Sequence, residues 1–187
     1  MVPVVFWIIC SENLHYLEQW ERKGGGSRLV VSILRKEVRG VRFDRPFEGY
    51  AVGERHRSRG RTVTEADIVQ FAGVSGDFYP LHLDREYARQ TRFGERIAHG
   101  MLTLSAATGL WVMEPGCVLA FYGIDALRFV RPMKIGDTIY VESEVKQLTE
   151  RSEEAGLVTV HQQIVNQRGE TVVDAIVHVL VAREGGR

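Results

Sequence analysis

The stretch FGERIAHGMLTLSAATGLWVM, residues 93–113, decides how the rest of the chain is read. It contains no proline, and the small residues Ala98, Gly100, Ser105, Ala106, Ala107 and Gly109 interleave with Met101, Leu102, Leu104 and Leu110. So many small side chains on an apolar helix let other backbone pack closely all round it, so the pattern predicts a buried central helix. After Pro115-Gly116 the periodicity changes. CVLAFYGIDALRFV, TIYVESEVKQL, GLVTVHQQIVNQ and TVVDAIVHVLVA are rich in Val, Ile, Thr and aromatics, and three of them partly alternate polar with apolar. Ile135-Gly136-Asp137 and Gln167-Arg168-Gly169-Glu170 are turn signals between them. Upstream, Thr64-Glu65-Ala66-Asp67 is a capping-box variant opening a helix that carries Ile68, Val69, Phe71 and Ala72, with Gly73 and Gly76 closing it. A second short helix is predicted after Asp84, in REYARQ. The order is a short strand, helices, then four long antiparallel strands. This is an α+β class: one buried helix wrapped by a curved antiparallel sheet.

Lys plus Arg equals Asp plus Glu, 24 each, which argues against a general nucleic-acid binder. Cys10 and Cys117 are too few for a disulfide framework and lack metal-ligand spacing, so a reducing cytoplasm is the simplest compartment. Cys117 precedes an apolar run and reads as a buried, inert thiol. The apolar run VPVVFWIIC, residues 2–10, is far too short to span a membrane and lacks the flanks of a signal peptide. Residues 1–41 read as an N-terminal extension of no assignable structure, and residues 42–187 as the domain, long enough for a substantial core.

Two constellations carry chemistry. In SGDFYPLH, residues 75–82, Asp77 and His82 sit five apart with Pro80 stiffening the loop between them. Imidazole titrates near neutrality and a carboxylate in an apolar setting is raised toward it, so such a pair can share one water and move its protons. Read alone, the octapeptide favours a plainer role, with Asp77 in a cap or an Asx-turn and His82 a satisfied loop histidine. The second is His99-Gly100 at the start of the central helix, where amides lack intrahelical partners and the dipole favours negative charge. A glycine there lets a carbonyl oxygen approach without a Cβ in the way, as an oxyanion site requires. Alone, an N-cap followed by a packing glycine is the simpler reading. The basic run Arg55, His56, Arg57, Arg59 and Arg61 reads as a solvated face, and His161 and His178 as structural residues of the strands.

Taken in order, S-G-D-x-x-P-L-H, F-G-x-R-I-A-H-G-M and R-F-x-R-P-x-x-x-G-D-T resemble the MaoC-like dehydratase family, the (R)-specific enoyl-CoA hydratases and related dehydratases of the hotdog fold. The resemblance covers roughly residues 44–182. It implies that Asp77 and His82 hold and activate a water. It also implies that the Gly100 amide, beside His99, binds a thioester carbonyl, and that Thr108 stands where the family often has a serine hydroxyl near those groups. Tyr79 departs from the usual Asn of D-x-N-P; a larger side chain without an amide's two-sided hydrogen bonding narrows the pocket or alters the loop.

The function so implied is reversible hydration of a 2-enoyl-CoA with no metal or redox cofactor, the CoA thioester being the substrate. Which of Asp77 and His82 is the base stays open. The implied assembly is a homodimer or larger homo-oligomer, with no nucleic-acid or membrane partner. Other readings are a hotdog thioesterase, a dehydratase acting on acyl-carrier protein or on a branched dicarboxylyl-CoA, and a non-catalytic acyl-thioester binding module.

Overall fold

The protein is described from a computed structural model that covers residues 42–185; the predicted extension 1–41 lies outside the described residues. Strand β1 (Arg42–Phe43) leads into a 3-10 turn, Phe47–Gly49, and the short strands β2 (Arg55–Arg57) and β3 (Arg61–Thr62). Four helices follow: α1 (Glu65–Ser75), α2 (Pro80–Leu83), α3 (Arg85–Arg89) and α4 (Gly100–Thr108). The chain then makes β4 (Val112–Met113) and the long strands β5 (Val118–Phe129), β6 (Thr138–Glu150), β7 (Ala155–Asn166) and β8 (Thr171–Ala182). The antiparallel sheet runs β2-β6-β7-β8-β5, with β3 also on β6, and β1 pairs parallel with β4 outside it.

The long strands are where the alternation put them, and alternation explains their burial. Ile139, Val141 and Val145 of β6, Val158, Val160 and Ile164 of β7, and Val173, Val177, Val179 and Val181 of β8 point to one face and are buried. Leu102, Leu104, Ala106 and Ala107 of α4 join the same core. Each Val, Leu and Ile of this set contributes roughly 1.5–3 kcal/mol by leaving water, which makes this face the main source of stability. The opposite face carries polar side chains at its centre, with Leu157, Val165 and Val172 buried toward its ends. There His161 Nε2 lies 3.0 Å from Asp174, and His178 lies 3.0 Å from both Asp125 and Thr159.

Capping sets the helices. Thr64 accepts from the Asp67 N–H and Asp67 accepts from the Thr64 N–H, so the predicted capping box forms, and α1 ends at Gly76 with φ 76°. Gly73 lies inside α1 rather than closing it. Asp84 accepts from the N–H groups of Glu86 and Tyr87, which starts α3 as expected.

Three expectations need correction. The central helix is nine residues, Gly100–Thr108, not the longer run of 93–113. Upstream of it, Ile97 bridges Lys134 and the Ala98 N–H donates to the Met133 carbonyl at 2.8 Å, so this backbone is paired to the β5–β6 connection instead of coiling. The helix is also not enclosed all round, since Met101 and Ser105, one turn apart, are exposed. Cys117 is a free thiol and only half-buried, because it sits in the turn before β5 rather than within the sheet.

Candidate active site

The loop between α1 and α3 is built from side-chain to backbone bonds. Ser75 Oγ donates to the Phe71 carbonyl at 2.7 Å and accepts from the Asp77 N–H at 3.2 Å. Asp77 Oδ1 accepts from the Tyr79 N–H at 3.2 Å, an Asx-turn. Pro80 then starts the single turn α2, its ring preset for the first helical position, so the segment thought to be irregular is helical from Pro80 onward. That turn swings His82 back over the chain, where its Nδ1 meets the Ile97 carbonyl at 2.8 Å.

A carbonyl only accepts, so His82 Nδ1 carries a hydrogen, and in the neutral ring Nε2 presents a bare lone pair. His99 has the opposite arrangement. Its Nε2 donates to the Asp77 carbonyl at 3.0 Å, and its Nδ1 is buried without a partner. Burial holds the His99 imidazole below its ordinary value, the Asp77 carbonyl pulling the other way, so it stays neutral near pH 7. The two rings stack with centroids 3.9 Å apart, and Phe71 closes the far side of His99 at 5.1 Å.

Ligating atoms of Asp77, His82 and His99 all lie within 4.8 Å of one another. That spacing alone would admit a metal ion. Each imidazole keeps one nitrogen for a ligand while the other donates to a carbonyl, and the same arrangement suits a water held between Asp77 and His82. These residues line one cavity of about 420 Å³ with Gly100, at the N-terminal end of α4. The first amides of a helix have no intrahelical acceptors, so positive potential meets the carboxylate and imidazole across the cavity.

The structure therefore brings Asp77, His82, His99 and Gly100 together. It does not bring Thr108 or Tyr79 to the cavity. Thr108 ends α4, about 12 Å along the axis from Gly100 at 1.5 Å per residue, and its hydroxyl donates to the Ser105 carbonyl at 2.8 Å. Tyr79 points outward, edge-on to His82 at 6.2 Å, with its hydroxyl 3.0 Å from that of Tyr87. The side chain alters the loop's outer rim and does not narrow the cavity.

Other lining residues were not singled out from the sequence. Arg92 and Arg131 are cations on the wall, and Phe93, Met101, Phe129, Val130 and Met133 make it largely apolar. Phe129 and Arg131 lay inside a quoted motif, but nothing in their spacing marked them. Phe129 reaches the cavity because β5 breaks register between Asp125 and Arg128, where Ala126 takes φ 51°. A bulge of this kind re-aims the side chains after it. The Phe129 ring lies against Gly100, with its nearest atom 2.8 Å from where a Cβ would stand, so any larger residue there must displace the ring. The basic run faces elsewhere: Arg55 pairs with Glu144, Arg57 with Glu142 and Arg61 with Asp67.

A family model described as "MaoC like domain" matches residues 48–167. The chain belongs to the MaoC-like dehydratase family. The chain is 38% identical over 146 residues to Protein MaoC of Klebsiella aerogenes, covering 72% of this chain and 43% of that protein. It is 42% identical over 96 residues to the (R)-specific enoyl-CoA hydratase of Rhodospirillum rubrum, covering 50% of this chain and 64% of the enzyme. The chain thus spans about half the length of these curated relatives. A Mycobacterium tuberculosis protein described as having a double hotdog fold superposes with a TM-score of 0.68 at 22% identity, over 75% of this chain and 45% of that one. The fold of this MaoC-like chain is the hotdog, a curved antiparallel sheet around a helix. No helix among the described residues is long and apolar enough to cross a membrane.

Proposed function

We propose that this MaoC-like protein reversibly adds water across the double bond of a 2-enoyl-CoA. The supporting observation is one cavity that joins the Asp77 carboxylate, the bare Nε2 of His82 and the N-terminus of α4 at Gly100. A water held by Asp77 and His82 gives its proton to His82 Nε2 as its oxygen bonds to the β-carbon. The π electrons move toward the thioester oxygen, which the Gly100 N–H and the helix dipole stabilise. When that enolate collapses, the Asp77–His82 pair returns a proton to the α-carbon. The pair is then ready for another cycle, and the same steps in reverse dehydrate a 3-hydroxyacyl-CoA. Side chains and one amide handle all the charge, so the reaction requires no metal or redox cofactor.

Arg92 and Arg131 on the cavity wall would supply cations for the phosphates of the CoA carrier. A homodimer belongs to the same reading. Among the described residues β5 is an edge strand with Leu119, Phe121 and Tyr122 exposed, and an apolar edge of twelve residues suits a partner strand. A cytoplasmic setting fits the free Cys117 thiol.

The test is a panel of enoyl-CoAs, crotonyl-CoA and mesaconyl-CoA among them, followed by loss of enoyl absorbance. Hydration of at least one thioester is expected. Release of free thiol would replace the proposal with a thioesterase, and tight binding of the whole panel without turnover would leave an acyl-thioester binding module.

A further inference from the structure

Four consecutive residues, Ile97-Ala98-His99-Gly100, touch every part of the proposed machinery. The Ile97 carbonyl orients the His82 imidazole, His99 Nε2 holds the main chain of Asp77, and Gly100 supplies the amide at the start of α4. Of these, His99 is the residue with side chain and main chain both engaged. Its carbonyl accepts the first bond of α4, from the Thr103 N–H at 3.1 Å, and also accepts from Thr103 Oγ1 at 3.2 Å. Its ring lies against His82 on one side and Phe71 on the other, with 2% of the residue exposed.

Resting on the hydratase reading, we propose that His99 is a positioning residue and not part of the oxyanion site. It is a buried, neutral clamp that fixes the Asp77 loop and the His82 ring against the helix carrying the Gly100 amide. A buried Nδ1 with no partner is the mark of this role. A protonated His99 would carry a buried donor with no acceptor, beside the ring that must itself take up a proton during the cycle. The clamp therefore works only in the neutral form with its hydrogen on Nε2, which the Asp77 carbonyl selects. Placement matters because a displacement of about 1 Å in such a pair costs up to roughly 10²-fold in rate.

Two variants separate the parts of the clamp. His99→Phe keeps a stacked ring and loses the donor; His99→Gln keeps a donor amide and loses the ring. We expect kcat with crotonyl-CoA to fall by roughly 10–10²-fold in His99→Phe with KM little changed, and His99→Gln to recover part of the loss. Melting temperatures are measured alongside. If His99→Phe matches the wild-type kcat, or if activity in both variants simply tracks the folded fraction, the clamp is overturned. Imidazole ¹⁵N spectra of the unliganded full chain give a readout that does not depend on turnover. They should show His99 with hydrogen on Nε2, His82 with hydrogen on Nδ1, and His82 losing that single tautomer in His99→Phe. An unchanged His82 in the variant rejects the clamp, whereas a wild type that hydrates no enoyl thioester rejects the functional reading and leaves the spectra to decide the clamp.

Discussion

The outer face of the sheet and the helical segments around the cavity both place histidine beside carboxylate, but they engage the rings differently. On the outer face both nitrogens of His178 are engaged, by Thr159 and by Asp125, and His161 Nε2 is held between the two oxygens of Asp174. On the helix side, His82 and His99 are oriented by backbone carbonyls, which leaves His82 Nε2 unspent beside a carboxylate, an apolar wall and a helix N-terminus. An imidazole hydrogen-bonded to a carboxylate on the outer face fastens neighbouring strands together. An imidazole held by a carbonyl at a cavity wall keeps its other nitrogen for a ligand, as the proposed proton transfer requires.

The largest test of that contrast is paired substitution. Asp77→Asn and His82→Ala should each lower turnover of the best enoyl-CoA by roughly 10²-fold or more, with the melting temperature little changed. His161→Ala and His178→Ala should leave turnover as it is. Near-full activity in either member of the first pair removes the proposed chemistry.

Gly100→Ala comes next. The added Cβ meets the Phe129 ring at 2.8 Å, so the ring must shift at the mouth of the cavity. Half-exposed Phe129 can move without unfolding the chain, and a displacement near 1 Å should cost up to about 10²-fold in kcat/KM. Steady-state kinetics on a variant of normal melting temperature check this; unaltered kinetics would mean that the fit of Phe129 on Gly100 does not shape the site.

A pH dependence of stability sharpens the contrast further. Burial depresses both His99 and His56 below their unfolded value. For a depressed histidine the unfolded chain binds the extra proton, so stability is complete above about pH 6.5 and is lost as pH falls below it. Melting curves between neutral and mildly acidic pH should show that decline, and His99→Phe should flatten it. A wild-type profile that is level over this range contradicts the buried, neutral state of these rings.

The smallest effects belong outside the site. Thr64→Ala removes one half of the capping box and should cost about 1 kcal/mol of stability. Breaking the His161–Asp174 pair on the outer face should cost less, within about 1 kcal/mol. Urea unfolding measures both; an outer-face loss larger than the loss at Thr64 would show that the outer pairs do more than fasten the sheet.

Much of this was legible in residue order. The four long strands follow from alternation, because a side-chain period of two buries one face whatever lies around it. The capping box at Thr64 and the cap at Asp84 are local bonds, made within three residues of sequence. The pairing of Asp77 with His82 was visible as a motif, and so was Gly100. The length of the central helix was not, since Ile97 and Ala98 give their backbone bonds to Lys134 and Met133, more than thirty residues away. The same holds for Phe129, which a bulge turns onto Gly100, and for Thr108, which one helix length carries away from the cavity.

By itself, then, the amino-acid order determined the class of fold and the bounds of the four long strands, which depend on periodicity, and it offered Asp77, His82 and Gly100 as candidates through the resemblance of their motifs to a family. Only the tertiary structure decided which nitrogen of His82 and of His99 meets a carbonyl, which side chains wall the cavity, and what the His99 ring packs against. Those outcomes depend on acceptors contributed by residues distant in sequence, and no local pattern encodes where such an acceptor will stand.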